Sequence, residues 1–320
     1  MPAEYQALMA ALLLMLAAEL TPKPGIPVPD WLTRVRWGLP GFLGRVRRRI
    51  GETAARVERI VAANLVDIVA RAAREAALDA RWTGDLPDVN PADVRGVLTA
   101  LEASHRRVET TVEDAFRRAV FAAQQAQPGD PAAAVQRVLD DLAGRGVTGY
   151  VDAAGRRWNL ETYVETVVRS RYAEAALQAY VDVCRRAGLR LARISVNHSR
   201  HAACRAWEGK TVSLDGSPRG EYLLRSPAGR LVTVTCDGTL QESRLAGVWH
   251  PWCQHRLTAV IPGGGLRVRR SPSIDMEARA RRRYLARTAR AWDRRTRVAI
   301  TDQARRMAAA KHARWASRQR

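Results

Sequence analysis

The chain has 320 residues, 47% of them hydrophobic but only three of them Phe, and it carries a formal net charge of +21. This length predicts about two domains, and an apolar content dominated by Ala, Leu and Val favours helices. Four Cys without paired spacing argue against a disulfide-stabilised scaffold, and the charge indicates a polyanionic or strongly acidic partner.

The first 146 residues are predicted to form a helical region. Met1–Leu20 has the composition of a helix, and its apolar run Leu8–Leu20 is shorter than the roughly 20 residues that a bilayer span needs. The run also lacks the basic start and the small-residue cleavage site of a signal peptide. We therefore expect no membrane partner and soluble synthesis.

Prolines and helical periodicity divide the rest of this region. Four prolines in Thr21–Asp30 predict a stiff, extended connector, after which a helix begins near Trp31. Apolar residues recur at helical spacing in Gly51–Arg81 and again from Asn90 to about Gln125. A shorter helix is predicted over Ala132–Ala143, so the whole region is expected to be a helical bundle.

Residues 147–265 have a different character and are predicted to form a small α+β module. A glycine-containing turn between two short β-prone stretches predicts a hairpin over Val147–Asn159. Leu160–Ala187 is predicted to be a helix that ends at Gly188. The alternating stretch Leu189–Asn197 then predicts a strand.

The last segment, residues 266–320, is predicted to be a basic helical tail. From Arg267 to Arg320 the chain holds 18 Lys and Arg against 4 Asp and Glu, a net of +14 that makes up two thirds of the total. Together the three segments predict an α+β fold that is mostly α.

Histidines and cysteines gather at the two ends of one stretch, residues 194–263. Four of the six His and three of the four Cys fall inside it. They are His198, His201, Cys204, Cys236, His250, Cys253 and His255. Such residues are usually scattered when they only fill space. Their grouping predicts that the two ends, named here block 1 (residues 195–210) and block 2 (residues 249–263), meet in space.

Each block also follows a sequence pattern. Block 1 has two histidines followed by Trp-x-Gly-Lys, and block 2 has Cys-x-His leading to Pro-Gly. The positions are His198, His201, Trp207, Gly209, Lys210, Cys253, His255, Pro262 and Gly263. Together with the upstream run Tyr150–Ser170, they resemble the phage minor capsid protein 2 family and, more loosely, the phage Mu F-like head morphogenesis proteins.

The resemblance implies a structural protein of the virion and not an enzyme with a small-molecule substrate. A minor capsid or head morphogenesis protein of a tailed phage is expected to be made in the host cytoplasm and built into the head. The implied partners are the portal, the major capsid protein and the genomic DNA. The implied role is head assembly or DNA delivery by a few copies per particle.

Three interpretations of the His/Cys cluster stay open. A structural zinc site needs four N or S ligands. The candidates are His198, Cys204, Cys253 and His255, with His201 as the alternative to His198. A hydrogen-bonded polar core without a cofactor would instead bury the imidazoles beside the small, apolar cysteines. Catalysis, for example by a metal-dependent nuclease, would need a base and a pocket, and acidic residues near the blocks are few.

The arginines of the tail predict a nucleic-acid-binding surface. They are Arg279, Arg281, Arg282, Arg283, Arg287, Arg290, Arg294, Arg295 and Arg297. They extend over about five helical turns and cover most faces of the helix, so they cannot all be buried. Dense positive charge binds phosphate backbones without reading sequence. Genomic DNA is the predicted partner, with an acidic portal or capsid surface, or a DNA-binding role outside the virion, as alternatives.

Overall fold

The computed structural model describes residues 2–23, 25–126, 129–250, 252–264 and 276–318. Helices predominate among these residues, and short strands form three small sheets. The structure confirms the predicted α+β class with a mostly helical content.

By their contacts the residues form two units. Unit 1 comprises Met1–Ile60, Leu98–Glu165 and Asp275–Arg320, and unit 2 comprises Val61–Val97 and Thr166–Ile274. Each unit is therefore assembled from segments that are distant in sequence. The predicted division into three consecutive segments remains a proposal about domain organisation.

The N-terminal part of the chain is helical, as expected. It contains α1 (Pro2–Leu20), α2 (Val28–Ala80), α3 (Pro91–Gln125) and α4 (Pro131–Arg145). The helices predicted near Trp31 and over Gly51–Arg81 are one continuous helix of 53 residues. Pro40 removes one backbone hydrogen bond inside it, but Phe42 and Val46, which follow the proline, are fully buried. Packing therefore stabilises the helix across the proline.

α1 is the most apolar helix of unit 1. The segment Ala3–Leu20 is long and apolar enough to cross a membrane by length and composition. It is longer than the run Leu8–Leu20 considered in the sequence. Leu8, Leu12 and Leu16 are at most 1% exposed, and the Tyr5 hydroxyl lies 2.9 Å from Nε2 of His105. The helix thus contributes a buried apolar face to unit 1.

A hairpin and a long helix follow, as the sequence predicted. β1 (Thr148–Val151) pairs antiparallel with β2 (Arg157–Asn159), and α5 covers Leu160–Arg186. Gly188 has a φ of +72°. Because this left-handed conformation is strained for residues with a Cβ, the glycine is well suited to end the helix.

Unit 2 contains a four-stranded sheet in the order β7-β4-β3-β8. The elements that follow α5 are β3 (Leu191–Ile194), α6 (Ala202–Trp207), β4 (Thr211–Ser213), β5 (Gly220–Arg225), β6 (Leu231–Cys236), β7 (Gly238–Thr239), α7 (Leu240–Leu245) and β8 (Leu257–Ala259). β3 is antiparallel to both β4 and β8, β4 is parallel to β7, and β5 and β6 form a separate hairpin. The alternating stretch Leu189–Asn197 predicted β3.

The basic segment is helical in its described residues, as predicted. α8 (Met276–Arg297) and α9 (Asp302–Ser317) pack against each other in unit 1 and are named here the basic hairpin. The rings of Tyr284 and Trp315 meet edge to face, with centroids 6.1 Å apart. The Thr301 hydroxyl caps α9 by accepting a hydrogen bond from the backbone of Ala304.

Polar contacts hold the basic hairpin against α4 and the start of α5. Nε of Arg294 donates to the carbonyl oxygen of Ala143 at 2.8 Å, and the guanidinium lies 3.6 Å from the carboxylate of Glu161. The backbone amide of Ile300 donates to Oε1 of Gln136 at 2.7 Å. The hairpin is therefore a fixed part of unit 1.

Candidate functional site

The antiparallel pairing of β3 with β8 brings block 1 and block 2 to the same end of the sheet. Ile194, the last residue of β3, pairs with Leu257, the first residue of β8. In an antiparallel pair the end of one strand lies beside the start of the other. Two further hydrogen bonds extend the contact, since the amide of Ser195 donates to the carbonyl of Arg256 and the amide of Arg256 donates to Oγ of Ser195.

The Trp-Glu-Gly-Lys motif of block 1 is a turn that returns the chain to the sheet. Trp207 is buried in the apolar core of unit 2. Gly209 has a φ of +74° and donates its amide to the carbonyl of Ile194 at 3.0 Å. The carbonyl of Lys210 accepts a hydrogen bond from the amide of Ile194 at 2.9 Å. The chain then continues as β4, so the motif fixes block 1 against β3.

Five side chains with nitrogen or sulfur donor atoms converge at this end of the sheet. The donor atoms of Cys204, Cys253 and His255 lie within 4.8 Å of one another, and so do those of His201, Cys204 and His250. Sγ of Cys204 is 3.9 Å from Sγ of Cys253, which in turn is 3.3 Å from Nδ1 of His255. The ring centroids of His201 and His250 are 4.4 Å apart. Cys204 belongs to both groups.

The structure brings together three of the four predicted zinc ligands and leaves out the fourth. Cys204, Cys253 and His255 are in one group, whereas His198 is exposed and belongs to neither group among the described residues. The backbone of His198 is left-handed, with a φ of +51°. His201, the alternative considered in the sequence, is in the cluster. His250 was not proposed as a ligand, although its spacing to Cys253 repeats that of His201 to Cys204.

Glu208 is the site residue whose role the sequence did not reveal. Its side chain is 9% exposed, and Oε1 accepts hydrogen bonds from the amides of Asn197 at 3.2 Å and Ser199 at 2.8 Å. The same oxygen lies 3.0 Å from Nε2 of His255. An ionised carboxylate is only an acceptor, so this nitrogen donates. Glu208 is the single acidic residue of block 1. Its position alone among histidines and cysteines is the sequence feature that could have indicated its role.

The pKa values in the cluster follow from burial and these contacts. Burial acts to raise the pKa of the Cys253 thiol, but hydrogen bonds with His255 outweigh it and the net shift is downward. Burial acts to lower the pKa of His255, but hydrogen bonds with Cys253 and Glu208 raise it overall. Burial raises the pKa of the Cys204 thiol. These contacts make the Cys253 thiol easier to ionise than a free cysteine and hold the His255 imidazole in one orientation.

Backbone strain also concentrates in the two blocks. His198, Trp249 and Trp252 all have positive φ values, between +51° and +73°. Such conformations cost on the order of 1–3 kcal/mol each and collect at functional sites. Surrounding contacts support them: Nε1 of Trp249 donates to Oγ of Ser243, and the guanidinium of Arg169 lies 4.5 Å from the Trp252 ring centroid.

A cavity of about 660 Å³ borders the cluster inside unit 2. His250, Cys253 and His255 form part of its wall. Glu75 and Arg256 also line it, and their charged groups are 3.7 Å apart.

The basic hairpin is the second candidate surface, and its arginines differ in exposure. The exposed ones among those predicted are Arg281, Arg282, Arg283, Arg287 and Arg297. Arg290 and Arg295 are half-buried, and the side chain of Arg279 lies outside the described residues. Arg294 is buried against Glu161, so it stabilises the fold and does not belong to the surface. The exposed basic residues Arg305, Arg306, Lys311 and Arg314 of α9 were missed.

Substitution of Glu208 tests the contact between the blocks. We expect Glu208→Ala to lower the free energy of unfolding by about 3 kcal/mol, because three donors lose a buried acceptor. Glu208→Gln keeps one acceptor oxygen and should cost less. The measurement is urea unfolding followed by tryptophan fluorescence. The control is Glu221→Ala at an exposed position, with a change of about 0.5 kcal/mol or less. Equal effects of the two alanine variants would contradict the role of Glu208.

Comparison with known families agrees with the sequence pattern. The chain matches the family described as Phage minor capsid protein 2 over residues 41–320, which includes both blocks and the basic hairpin. No curated protein and no solved structure matches the chain at a significant level. The family match covers most of the chain and confirms the resemblance seen in the two blocks. The protein therefore belongs to the phage minor capsid protein 2 family, a family of structural proteins of the phage head.

Proposed function

We propose that this protein is a minor component of the phage head that binds packaged DNA through its basic hairpin. Membership of the minor capsid family supports the role in the head. The charge of α8 and α9 is the observation that supports DNA as the partner. The module around the sheet of unit 2 would then serve as a rigid docking unit for other head proteins.

The basic hairpin has few acidic residues to balance its charge. α8 and α9 together contain thirteen Lys and Arg against three Asp and Glu. Arg297 forms an ion pair with Asp293, and Arg305 forms one with Asp302. At surface exposure such pairs contribute little. The remaining positive charge repels itself, and a polyanion relieves that repulsion.

The exposed arginines suit a phosphate backbone better than a single anionic group. Arg281, Arg282 and Arg287 are exposed along nearly two turns of α8, and Arg306 and Arg314 are exposed on α9. Contacts of this kind neutralise phosphates, release counterions and carry no sequence information. Binding should therefore be strong at low salt, weak at high salt, and independent of DNA sequence.

The contacts of Arg294 and Gln136 support a preformed surface. Because both residues fix the hairpin to α4, the arginines lie on an ordered surface. DNA binding therefore does not lose free energy to the ordering of that surface. On this proposal the protein stands in a few copies at the portal or the inner capsid surface, where a basic face meets the genome.

The DNA contact is tested with a variant that removes charge without removing the anchor. The triple variant Arg281→Gln, Arg282→Gln, Arg287→Gln of the full chain should bind duplex DNA more weakly. Its slope of log affinity against log salt should be shallower by about 3, since each lost phosphate contact removes about one unit. The measurement is fluorescence anisotropy with duplexes of two unrelated sequences at several salt concentrations.

A matched triple variant provides the control. Arg219→Gln, Arg225→Gln and Arg230→Gln remove the same charge from exposed positions in unit 2 and should leave the salt slope nearly unchanged. Equal losses in both variants would show that net charge alone controls binding. Salt-independent binding, or none, would reject DNA in favour of an acidic protein partner.

The position in the virion has a separate test. Mass spectrometry of purified particles of the phage that encodes the chain should detect the protein in a few copies per head. Cross-linking of intact particles should connect it to the portal or the inner face of the major capsid protein. Its absence from particles, combined with DNA binding in solution, would favour a DNA-binding role outside the virion.

A further inference from the structure

We propose that the cluster between the two blocks binds one transition-metal ion of the zinc class. Cys204, Cys253 and His255 are three of the ligands, and an imidazole of the pair His201 and His250 is the fourth. This assignment is independent of the DNA-binding role and concerns unit 2 alone. It replaces His198 of the predicted ligand set by a residue that lies in the cluster.

Two of the distances between the donor atoms are close to the edges of a tetrahedron. Zinc lies about 2.3 Å from sulfur and about 2.0 Å from nitrogen, which puts two sulfurs about 3.8 Å apart and a sulfur about 3.5 Å from a nitrogen. The two thiol sulfurs here are 3.9 Å apart, and Sγ of Cys253 is 3.3 Å from Nδ1 of His255. His201 and His250 are grouped with Cys204 and not with Cys253 and His255, so on this proposal the fourth imidazole moves closer when the metal binds.

The donor types and their spacing also favour zinc. Two thiolates with imidazoles form a soft donor set that selects zinc over magnesium or calcium. His201 precedes Cys204 by three residues, and His250 precedes Cys253 by three residues. Ligands separated by two residues are typical of structural zinc sites. The chain thus supplies two similar half-sites, and the pairing of β3 with β8 brings them together.

The carboxylate of Glu208 orients the imidazole of His255, an arrangement that is common around metal-binding histidines. Nδ1 of His255 faces Cys253, and Nε2 donates to Glu208, which is itself held by two backbone amides. A histidine that ligates a metal through one nitrogen commonly donates the other to a carboxylate, which fixes the tautomer and the ring. The contact between Glu208 and His255 would therefore hold His255 in the orientation needed to bind the metal.

A catalytic interpretation explains fewer of the observations. Cys253, His255 and Glu208 stand in the order of a nucleophile, a base and an orienting acid. That arrangement leaves the Cys204 thiol 3.9 Å from the nucleophile and gives no role to the neighbouring imidazoles of His201 and His250. A metal ion gives a role to both thiols, to His255, to one imidazole of the pair and to Glu208.

Metal content of the full-length protein tests the assignment. Protein purified from zinc-containing medium and dialysed against metal-free buffer should hold one equivalent of zinc by elemental analysis. Replacement by Co²⁺ should give the intense visible bands of a tetrahedral site and a near-ultraviolet thiolate-to-cobalt band. Less than half an equivalent of zinc, together with no thiolate-to-cobalt band, would overturn the proposal.

Single substitutions separate ligands from neighbours. Cys253→Ser and His255→Ala should each weaken zinc binding at least tenfold in competition with a chromophoric chelator. Cys236→Ser, at a buried cysteine outside the cluster, and His198→Ala should retain one equivalent. If the ligand variants fail to fold, the cobalt spectrum of the unaltered chain still decides the question. Full retention of zinc by folded Cys253→Ser would refute the ligand set.

The fourth ligand is assigned by two further variants. His201→Ala and His250→Ala should differ, and the one that removes the ligand should change the cobalt bands. If both keep the unaltered spectrum and affinity, an imidazole from this pair is not a ligand and the four-ligand assignment fails. A titration that finds two of the four thiols already joined as a disulfide in the purified protein would also contradict a metal-bound pair.

Discussion

The pairing of β3 with β8 is the constraint on which the rest of unit 2 depends. It joins residues about sixty positions apart in the chain, with Ile194 opposite Leu257. The hydrogen bonds between Ser195 and Arg256, the Glu208–His255 contact and the Cys204–Cys253 contact lie beyond the end of this short ladder. A pair of strands with only three or four residues each is marginally stable by itself. The contacts between block 1 and block 2 therefore add to the stability of the pair β3–β8.

Glu208 and the cysteine pair provide those contacts. The buried carboxylate links the amides of block 1 to the imidazole of block 2, and the sulfurs of Cys204 and Cys253 are in direct contact. A buried charge is costly unless it is fully hydrogen-bonded, and Oε1 of Glu208 has three donors. The arrangement explains why His and Cys collect at the two ends of one stretch, and a metal ion in the cluster would tighten the same connection. The basic hairpin belongs to the other unit, so the two functional proposals can be tested separately.

Much of the helical structure could be predicted from the sequence because apolar residues recur at helical spacing over long segments. The continuity of α2 through Pro40 could not, since it depends on burial of Phe42 and Val46 by residues elsewhere in the chain. The strands β4, β7 and β8 have only two or three residues, too few for an alternating pattern. Similarly, nothing in the sequence distinguishes Arg294 from the exposed arginines around it. Its burial depends on the fold, which places it beside Glu161.

The central claim, that the two blocks meet at Cys204 and Cys253, is tested most directly by trapping the two thiols. The full chain is treated with a chelator, oxidised briefly with diamide, digested without reduction and mapped by mass spectrometry. The account predicts one main cross-link, between the peptides that contain Cys204 and Cys253, and the same cross-link in a variant that lacks Cys184 and Cys236. If these two cysteines remain unlinked in folded protein, or pair with Cys184 or Cys236 instead, the two blocks do not meet as described.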